Sequence, residues 1–217
     1  AESELNLRAS DESHHPAHPA EVVIWARSAE HVADVLRFAN EHHIPVTPWG
    51  VGTGLEGMAI PVFGGIQISL ERMTKIVEIH ADDFQVTVEP GIGHKDLNEK
   101  LARYGLFFPP DPGANATIGG MLANNAAGIR TVRYGASKDN VLQMQVALAD
   151  GRLIPIADAA AARRAGTVPR IDDDAVGELK ELQDVGDRAY LVDVVGPRVV
   201  FGGVALRDQQ HLLVAGH

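Results

Sequence analysis

The chain has 217 residues, of which 45% are hydrophobic and 22% charged, and its formal net charge is −10. That length suits one ordinary domain or two small ones, and the composition is typical of a globular protein with a sizeable core. The acidic balance argues against a nucleic-acid partner, and the absence of cysteine excludes disulfides, thiolate metal sites and a cysteine nucleophile.

The N-terminal segment, residues 1–20, is polar and is predicted to be irregular. His14, His15 and His18 have the spacing of a metal cluster, but no carboxylate or cysteine stands in register, so we expect no metal site. The chain begins without Met and without the basic and apolar regions of a signal peptide. No apolar run approaches the roughly 18 residues that span a bilayer. We therefore expect a piece of a cytoplasmic protein.

Residues 21–156 alternate strand and helix signals. The apolar run at 22–25 predicts a strand buried on both faces, and Ser28 is placed to cap a helix that ends before Pro45. After a short strand and a glycine-rich loop, further strands are predicted at 66–70, 76–79, 84–88 and 141–148, with a helix closed by Gly105 between the last two. Asp150-Gly151 predicts a hairpin turn. This order predicts an α+β fold.

The first glycine loop (residues 48–57) has four glycines in its last eight positions. Such a backbone adopts positive φ, and its successive N–H groups form a concave nest for a phosphate or diphosphate. Thr53 adds a hydroxyl donor. No Gly-Lys-Ser/Thr follows, and the loop does not open a helix as a GxGxxG motif does. From the residues alone, a phosphate site and a plain flexible turn both remain open.

The second glycine segment (residues 110–120) contains Pro-Asp-Pro-Gly followed by Thr-Ile-Gly-Gly. Thr117 is placed to cap a short helix, although two glycines in its first turn cost roughly 1 kcal/mol each. That cost is tolerable where the backbone lies flat against a ligand, and the helix N-terminus offers N–H groups to an anion. Asn124 would point to the same side. The alternative is a tight loop and a poor helix.

Five motifs in order carry a resemblance to a known family. They are Gly-Val-Gly-Thr-Gly-Leu at 50–55, Pro-Asp-Pro-Gly at 110–113 with Thr-Ile-Gly-Gly at 117–120, Asn-Ala-Ala-Gly at 125–128, Arg-Tyr-Gly at 133–135, and the stretch from Asp-Asn-Val-Leu at 139–142 to Ala-Asp-Gly at 149–151. The chain resembles the FAD-binding PCMH-type (vanillyl-alcohol oxidase) domain, in the branch of D-lactate dehydrogenase, D-2-hydroxyglutarate dehydrogenase and the glycolate oxidase FAD subunit.

The resemblance covers about residues 7–156 and implies a small βαβ-type subdomain plus the start of a second α+β subdomain. It also implies that the first glycine loop wraps the FAD diphosphate and that the second segment lines the ribityl chain and flavin. The implied cofactor-binding residues are Pro48, Trp49, Gly50, Val51, Gly52, Thr53, Gly54, Leu55, Pro110, Asp111, Pro112, Gly113, Thr117, Ile118, Gly119, Gly120, Asn124, Gly128, Tyr134 and Gly135.

Two expectations concern histidines: whether FAD is attached covalently, and where His94 lies. Some family members link FAD covalently through a histidine in the first loop. This chain has Glu56 and no histidine there, so non-covalent FAD is expected. His94, near the start of a helix, is expected to be an exposed or capping residue.

The resemblance stops after residue 156. The Gly-Ser-Glu-Gly-Thr-Leu-Gly-Ile motif that closes the FAD site in the family does not occur, nor does the substrate-binding domain that supplies metal ligands and the catalytic base. Residues 157–217 are rich in Ala, Arg, Asp, Val and Gly and carry no motif. We interpret them as an atypical tail, either a shifted reading frame or an unrelated replacement, and we expect incomplete sheet edges and no catalytic residue in this chain.

The implied activity is oxidation of a D-2-hydroxyacid such as D-lactate or glycolate by hydride transfer to FAD, with an unknown electron acceptor. The chain alone is expected to be inactive. One alternative is a cofactor-free truncated module that pairs with another subunit through its open sheet. Another keeps the fold with a different substrate, as in sugar-nucleotide reductases or sugar-lactone oxidases.

Overall fold

The computed structural model describes residues 2–157, 193–194, 199–202 and 205–206, with side chains described for residues 2–155. The helices are α1 (Glu2–Leu7), α2 (Ala29–Glu41), α3 (His94–Leu101), α4 (Ile118–Ala123) and α5 (Thr131–Tyr134). The strands are β1 (Val22–Trp25), β2 (Val46–Trp49), β3 (Ile66–Ser69), β4 (Ile76–His80), β5 (Gln85–Val88), β6 (Leu106–Phe107), β7 (Val141–Ala147), β8 (Leu153–Ala157), β9 (Asp193–Val194), β10 (Val199–Gly202) and β11 (Ala205–Leu206). The mixed α+β class is confirmed.

The N-terminal half forms a three-stranded parallel sheet in the order β1-β3-β2. Helix α2 packs on it through Val32 and Leu36, which meet Ile66 and Ile68 of β3 in one buried cluster. Ser28 caps α2 as predicted, its side chain accepting the N–H of His31 at 3.2 Å. This is the expected βαβ-type subdomain. The prediction that β1 is buried on both faces was wrong, because β1 is an edge strand whose first residue is 48% exposed.

The N-terminal segment is also more ordered than predicted. Residues 2–7 form α1, and Arg8 beyond it forms ion pairs with Glu4 and Glu71, both at 2.5 Å. The Arg8 side chain is 7% exposed and lies over the Trp25 ring, 5.3 Å from its centroid. The sequence indicated a polar, proline-rich stretch and did not reveal these long-range partners, so the segment was wrongly predicted to be irregular throughout.

The second sheet has the order β4-β5-β10-β7-β8, with β9 also pairing with β7. Helices α3 and α4 cover it with Leu97, Leu101, Ile118 and Met121, each at most 1% exposed. The β7–β8 hairpin turns at Gly151 with φ +82°, as the Asp-Gly pair predicted. Gly105 takes φ +69° after α3 and the following 3₁₀ turn, as also predicted.

Strand β10 lies between β5 and β7 and pairs antiparallel with both. The expectation that incomplete sheet edges stay unpaired is therefore wrong for the facing edges of β5 and β7. Most of residues 157–217 lie outside the described residues, so the interpretation of that tail stays a prediction. In the described part of the chain, no helix is long and apolar enough to cross a membrane.

Candidate cofactor site

The first glycine loop, which follows β2, has a row of backbone N–H groups that have no acceptor among the described residues. Among the described residues, no acceptor receives a hydrogen bond from any backbone N–H group of residues 50–59. Gly52 has φ +68°, and a Cβ there would lie 2.5 Å from Cη2 of Trp49, so only glycine fits. Adjacent N–H groups without protein acceptors are the donor set that an anionic oxygen requires. The loop therefore has the chemistry of a phosphate nest.

The N-terminal segment flanks this loop. Gly54 lies beside Asp11, whose Oδ2 is 3.4 Å from the position of an added Cβ, and Gly57 lies against the ring of His15. The segment is held by Gln67 of β3, whose Nε2 donates to the carbonyls of Arg8 at 3.1 Å and Ala59 at 3.0 Å. The buried side chain of Gln67 thus connects the N-terminal segment, the parallel sheet and Ala59, the last residue of the stretch 50–59.

The two glycine-rich stretches meet at one point. A Cβ added to Gly50 would lie 2.5 Å from Oγ1 of Thr117. Val51 and Thr117 both line a cleft of about 800 Å³, together with Gly91, Gly93 and Asn115. The cleft is also lined by residues 76–79 of β4 and by Lys100, Arg103 and Tyr104. Val51 and Thr117, more than sixty positions apart in sequence, therefore line one cavity.

The N-terminus of α4 differs from the first loop, because its N–H groups already have partners. Ile118 donates to the Ile92 carbonyl at 2.9 Å, Gly119 to the Pro90 carbonyl at 2.7 Å, and Gly120 to Oγ1 of Thr117 at 3.4 Å. Thr117 is the predicted cap. The prediction that this helix offers free N–H groups to an anion was wrong, because α4 is bonded to the segment that follows β5.

Gly119 of the second segment and Gly128, which packs against that segment, serve close packing. A Cβ on Gly119 would lie 2.8 Å from Cβ of Pro90, and a Cβ on Gly128 would overlap the carbonyl oxygen of Asp111. Gly120 has only Oγ1 of Thr117 nearby, at 3.1 Å, and Gly113 has φ +90° with open space around it. Gly119 and Gly128 thus bring protein backbone against protein backbone, whereas Gly113 and Gly120 leave a surface accessible.

Asp111 is fixed from two sides. Its Oδ1 accepts the N–H of Gly113 at 3.1 Å and lies 3.5 Å from Nε2 of His94. His94 is 2% exposed, so the prediction of an exposed or capping residue was wrong. Burial lowers the pKa of His94 from its ordinary value of 6.5, and the carboxylate of Asp111 only partly opposes that effect. Nδ1 of His94 has no hydrogen-bond partner among the described residues.

The other predicted site residues occupy varied positions. Ile118 and Trp49 have buried side chains, at 0% and 6% exposure, whereas Leu55 is 71% exposed. Asn124 donates from Nδ2 to the Gly120 carbonyl at 3.2 Å. The buried hydroxyl of Tyr134 has no partner among the described residues. The remaining predicted residues are Pro48, Thr53, Pro110, Pro112 and Gly135; of these, Gly135 has φ +79° beside Asp139.

Sequence reasoning missed four contributors to the cleft or its walls: Gly91, Gly93, Asn115 and His94. The Pro-Gly-Ile-Gly at 90–93 was available as a signal, because glycines directly after a strand often permit close backbone approach. A Cβ on Gly93 would lie 2.7 Å from Oδ1 of Asn115. His14, His15 and His18 do not form a metal site with neighbours, since the described residues contain no group of three or more candidate ligands.

An FAD diphosphate fits the donor set of this site. The first glycine loop supplies N–H groups that have no acceptor among the described residues. The missing side chain and positive φ at Gly52 permit a phosphate to approach the backbone closely. The cleft beside the loop is lined by apolar residues of β4 and by polar and charged groups that include Lys100, Arg103 and Asn115. The residues present are thus compatible with a dinucleotide whose diphosphate rests on the first loop.

Comparison with known proteins agrees with this geometry. Residues 20–157 match the family model described as "FAD binding domain". The chain is 42% identical over 146 residues to D-lactate dehydrogenase [cytochrome], mitochondrial, of Arabidopsis thaliana, covering 67% of this chain and 26% of that protein. It is 45% identical over 136 residues to D-lactate dehydrogenase of Archaeoglobus fulgidus, covering 62% and 30%.

A third relative is the glycolate oxidase subunit GlcD of Bacillus subtilis, at 35% identity over 136 residues, covering 62% of this chain and 29% of that protein. The chain thus spans less than a third of these curated relatives. Among solved structures, 6-hydroxy-D-nicotine oxidase of Arthrobacter nicotinovorans superposes with a TM-score of 0.63 at 24% identity, covering 71% of this chain and 34% of that one. At that identity the likeness shows the fold alone.

Proposed function

Because the chain belongs to the FAD binding domain family, we propose that it is the cofactor-binding portion of an FAD-dependent oxidoreductase that oxidises D-2-hydroxyacids such as D-lactate or glycolate. FAD supplies the hydride acceptor for the C2 hydrogen of such a substrate. The described residues of this chain hold the diphosphate on the first glycine loop and form one wall of the cleft. The family match confirms the predicted resemblance to the FAD-binding PCMH-type domain.

The unused N–H groups of residues 50–59 carry the cofactor part of this proposal. Backbone donors without protein acceptors are costly unless water or a ligand occupies them, and an anion satisfies several at once. Gly50 lies against Thr117 and Val51 lines the cleft, which supports a diphosphate on the loop beside the cleft. The predicted residues of the two glycine-rich stretches are retained as proposed FAD-binding residues.

The hydroxyacid part rests on the relatives. Two are named D-lactate dehydrogenase and one is a glycolate oxidase subunit, all at 35% identity or more. The matched region is the cofactor domain, so substrate choice remains a proposal. The other candidate substrates, sugar nucleotides and sugar lactones, share the fold. No observation in the described residues favours them.

The chain alone is expected not to turn over substrate. Family resemblance places the base and the metal ligands in a further substrate-binding domain, and hydride transfer needs a base within hydrogen-bond reach of the hydroxyl. We expect no reduction of a dye acceptor when purified chain and FAD meet D-lactate or glycolate. Turnover above a protein-free FAD control would contradict this expectation.

The test of FAD binding is a titration with a matched pair of glycine variants. Purified chain is incubated with excess FAD, freed of unbound cofactor by gel filtration, and examined by visible absorbance and flavin fluorescence. We expect the wild type to retain FAD. Gly52→Ala should lose it, because Gly52 has φ +68° and no room for a Cβ.

The control is Gly64→Ala, which lies outside the first glycine loop, has φ +67° like Gly52, and brings an added Cβ to 3.0 Å from the flexible carboxylate of Glu21. This variant should bind FAD within about threefold of wild type, a difference of less than 1 kcal/mol. A colourless wild type that remains folded by circular dichroism would overturn the proposal of an FAD site. Equal loss in both variants would remove the first loop from it.

We also propose that the cofactor is held without a covalent bond. The first loop contains no histidine. The structure nevertheless places His15 against Gly57, so one histidine does lie beside the loop. FAD should leave the protein entirely on denaturation, with no fluorescent band after denaturing electrophoresis. A fluorescent band that disappears in His15→Ala would show a covalent link through that residue.

A cofactor-free interaction module is the second candidate. The observation that favours it is the exposed apolar pair Ile129 and Val132, at 89% and 102% exposure. An apolar surface of this kind is usually covered by another part of a protein. A folded but colourless chain that associates with a second protein would favour this alternative. Strand β10, which occupies the gap between β5 and β7, weakens the argument from an open sheet.

The compartment is proposed only from composition. The absence of cysteine fits a reducing compartment and supports our proposal of a cytoplasmic location. The Arabidopsis relative carries the word mitochondrial in its name. Cell fractionation with an antibody to residues 2–157 would decide between the two compartments.

A further inference from the structure

The first turn of α3 is bonded to the segment that precedes α4. We call His94, Lys95 and Asp96 the α3 tether. Nζ of Lys95 donates to the Gly113 carbonyl at 2.6 Å, and the backbone N–H of Lys95 donates to Oδ1 of Asn115 at 3.0 Å. The tether therefore binds residues 113–115 through both backbone and side chain.

Two further bonds extend this contact. Oδ2 of Asp96 accepts from Nδ2 of Asn115 at 3.1 Å, and the backbone N–H of His94 donates to the Ala116 carbonyl at 3.0 Å. One turn later, Asn98 bonds both backbone groups of Phe108, at 2.6 and 3.2 Å. Residues 108–116 are thus attached to α3 at both ends of a stretch that has no regular structure of its own.

His94 is the buried member of the tether. It is 2% exposed, and its Nε2 lies 3.5 Å from Oδ1 of Asp111, the oxygen that also accepts the Gly113 N–H. Burial keeps its imidazole neutral at pH 7, so one ring nitrogen carries a hydrogen. Nδ1 has no hydrogen-bond partner among the described residues, whereas Nε2 lies at the limit of hydrogen-bond distance from the Asp111 carboxylate. His94 therefore packs against the Asp111 turn.

We propose that His94 is a positioning residue for residues 110–116, of which Asn115 lines the cleft, and that the α3 tether holds this segment in its FAD-binding shape before the cofactor arrives. The inference rests on the FAD site proposed above. It concerns a residue that touches no cofactor and acts through Asp111.

The physical reason is pre-organisation. Residues 110–116 contain two prolines and a glycine at φ +90°, which prevent a helix or strand but do not by themselves select one loop shape. Ordering a loop costs free energy, and a loop that is ordered before binding does not subtract that cost from affinity. The tether supplies this order from a helix that is fixed in the core by Leu97 and Leu101, on the same buried face as His94.

The experiment measures the tether and its consequence separately in the full chain. Hydrogen exchange of the peptide covering residues 108–116 is followed without FAD, and FAD affinity is measured by fluorescence titration. His94→Leu should speed the exchange and weaken FAD binding about tenfold or more. His94→Gln places an amide nitrogen near the former Nε2, so it should restore much of both and return the visible circular dichroism of bound FAD.

A second variant keeps the test decisive if His94→Leu fails to fold. Lys95→Met removes the bond to the Gly113 carbonyl from an exposed position and should raise exchange with a smaller, roughly threefold, loss of affinity. The control is His31→Leu, since His31 is an exposed histidine in the first turn of α2 that neither lines the cleft nor belongs to the tether. It should change neither reading.

Each outcome decides the inference. Faster exchange together with weaker FAD binding in His94→Leu or Lys95→Met, with recovery in His94→Gln, supports it. Unchanged affinity in both tether variants overturns it, whatever the exchange shows. If the wild type itself binds no FAD, the proposed function fails and the positioning role fails with it. That case is distinguished by the wild-type titration alone.

Discussion

The first glycine loop and the second glycine segment are similar in composition but differ in where their backbone donors go. Along residues 50–59 no N–H group donates to a described residue, whereas Ile118, Gly119 and Gly120 all donate within the protein. Gly52 needs its positive φ, whereas Gly119 needs its missing side chain because Pro90 is 2.8 Å from where Cβ would be. Glycine thus permits a backbone with unbonded N–H groups in one region and close protein packing in the other.

The difference shows that glycine content alone does not identify a ligand site. What separates the two regions is whether the N–H groups are already satisfied, since buried donors must find an acceptor somewhere. The second segment contributes to the cleft mainly by its position, with Thr117 at the junction and Asn115 on the wall. We therefore expect substitutions in the first loop to act mainly on ligand binding, and substitutions at the closely packed Gly119 and Gly128 to act mainly on folding.

The largest effect is expected at Gly128. A side chain there would overlap the carbonyl oxygen of Asp111, which is backbone and cannot rotate away. Gly128→Ala should lower the free energy of unfolding by about 3 kcal/mol, a typical cost of overpacking a rigid site. Chemical denaturation followed by circular dichroism measures this change.

Gly105→Ala is the control for the Gly128 variant. Gly105 has φ +69° but nothing within 4 Å of an added Cβ, so only the backbone conformation is penalised, by roughly 1–2 kcal/mol. If Gly128→Ala were no more destabilising than Gly105→Ala, the close packing of the second segment would be refuted.

A smaller effect is expected where the two regions meet. Gly50→Ala places a methyl group 2.5 Å from Oγ1 of Thr117 and should weaken FAD binding roughly tenfold, or about 1.4 kcal/mol, with little change in unfolding. Thr117→Ala removes the hydroxyl. The double variant should therefore bind FAD more tightly than Gly50→Ala alone. A double-mutant cycle of FAD dissociation constants measures this coupling between the two positions. Strictly additive losses would mean that the regions do not interact through this contact.

The smallest expected effect is a dependence of stability on pH through His94. Its pKa is lowered in the folded chain by burial, so the unfolded chain binds more protons between the folded value and 6.5. Stability should be fully present above pH 6.5 and decline as pH falls through that window. His94→Gln should show a flatter profile in denaturation at pH 5 to 7.5. Identical slopes in both proteins would show that His94 does not titrate differently on folding.

Much of the fold could be predicted from the sequence because its signals are local. Ser28 and Thr117 cap their helices, Gly105 ends the turn after α3, and Gly151 turns the β7–β8 hairpin. Each of these depends on the conformation of a few neighbouring residues. The motifs at 50–55 and 110–120 also indicated the family, which the match over residues 20–157 confirms.

The features that sequence reasoning missed depend on contacts between distant residues. Arg8 is buried because Glu71 and Trp25 meet it, and His94 is buried because residues 110–116 lie over α3. A histidine at the start of a helix gives no sign of what covers it. The free donors of the first loop and the bonded donors of α4 likewise differ only in the neighbours that the fold brings to them.

Strand β10 has a consequence for how the molecule is made. Val199–Gly202 separates β5 from β7, so the larger sheet cannot acquire its final strand order until more than a hundred residues beyond β5 have left the ribosome. Closing so long a loop is entropically slow. The parallel three-stranded sheet can form first. Until β10 is synthesised, the facing edges of β5 and β7 stay unpaired, and during that time chaperone binding or self-association competes with folding.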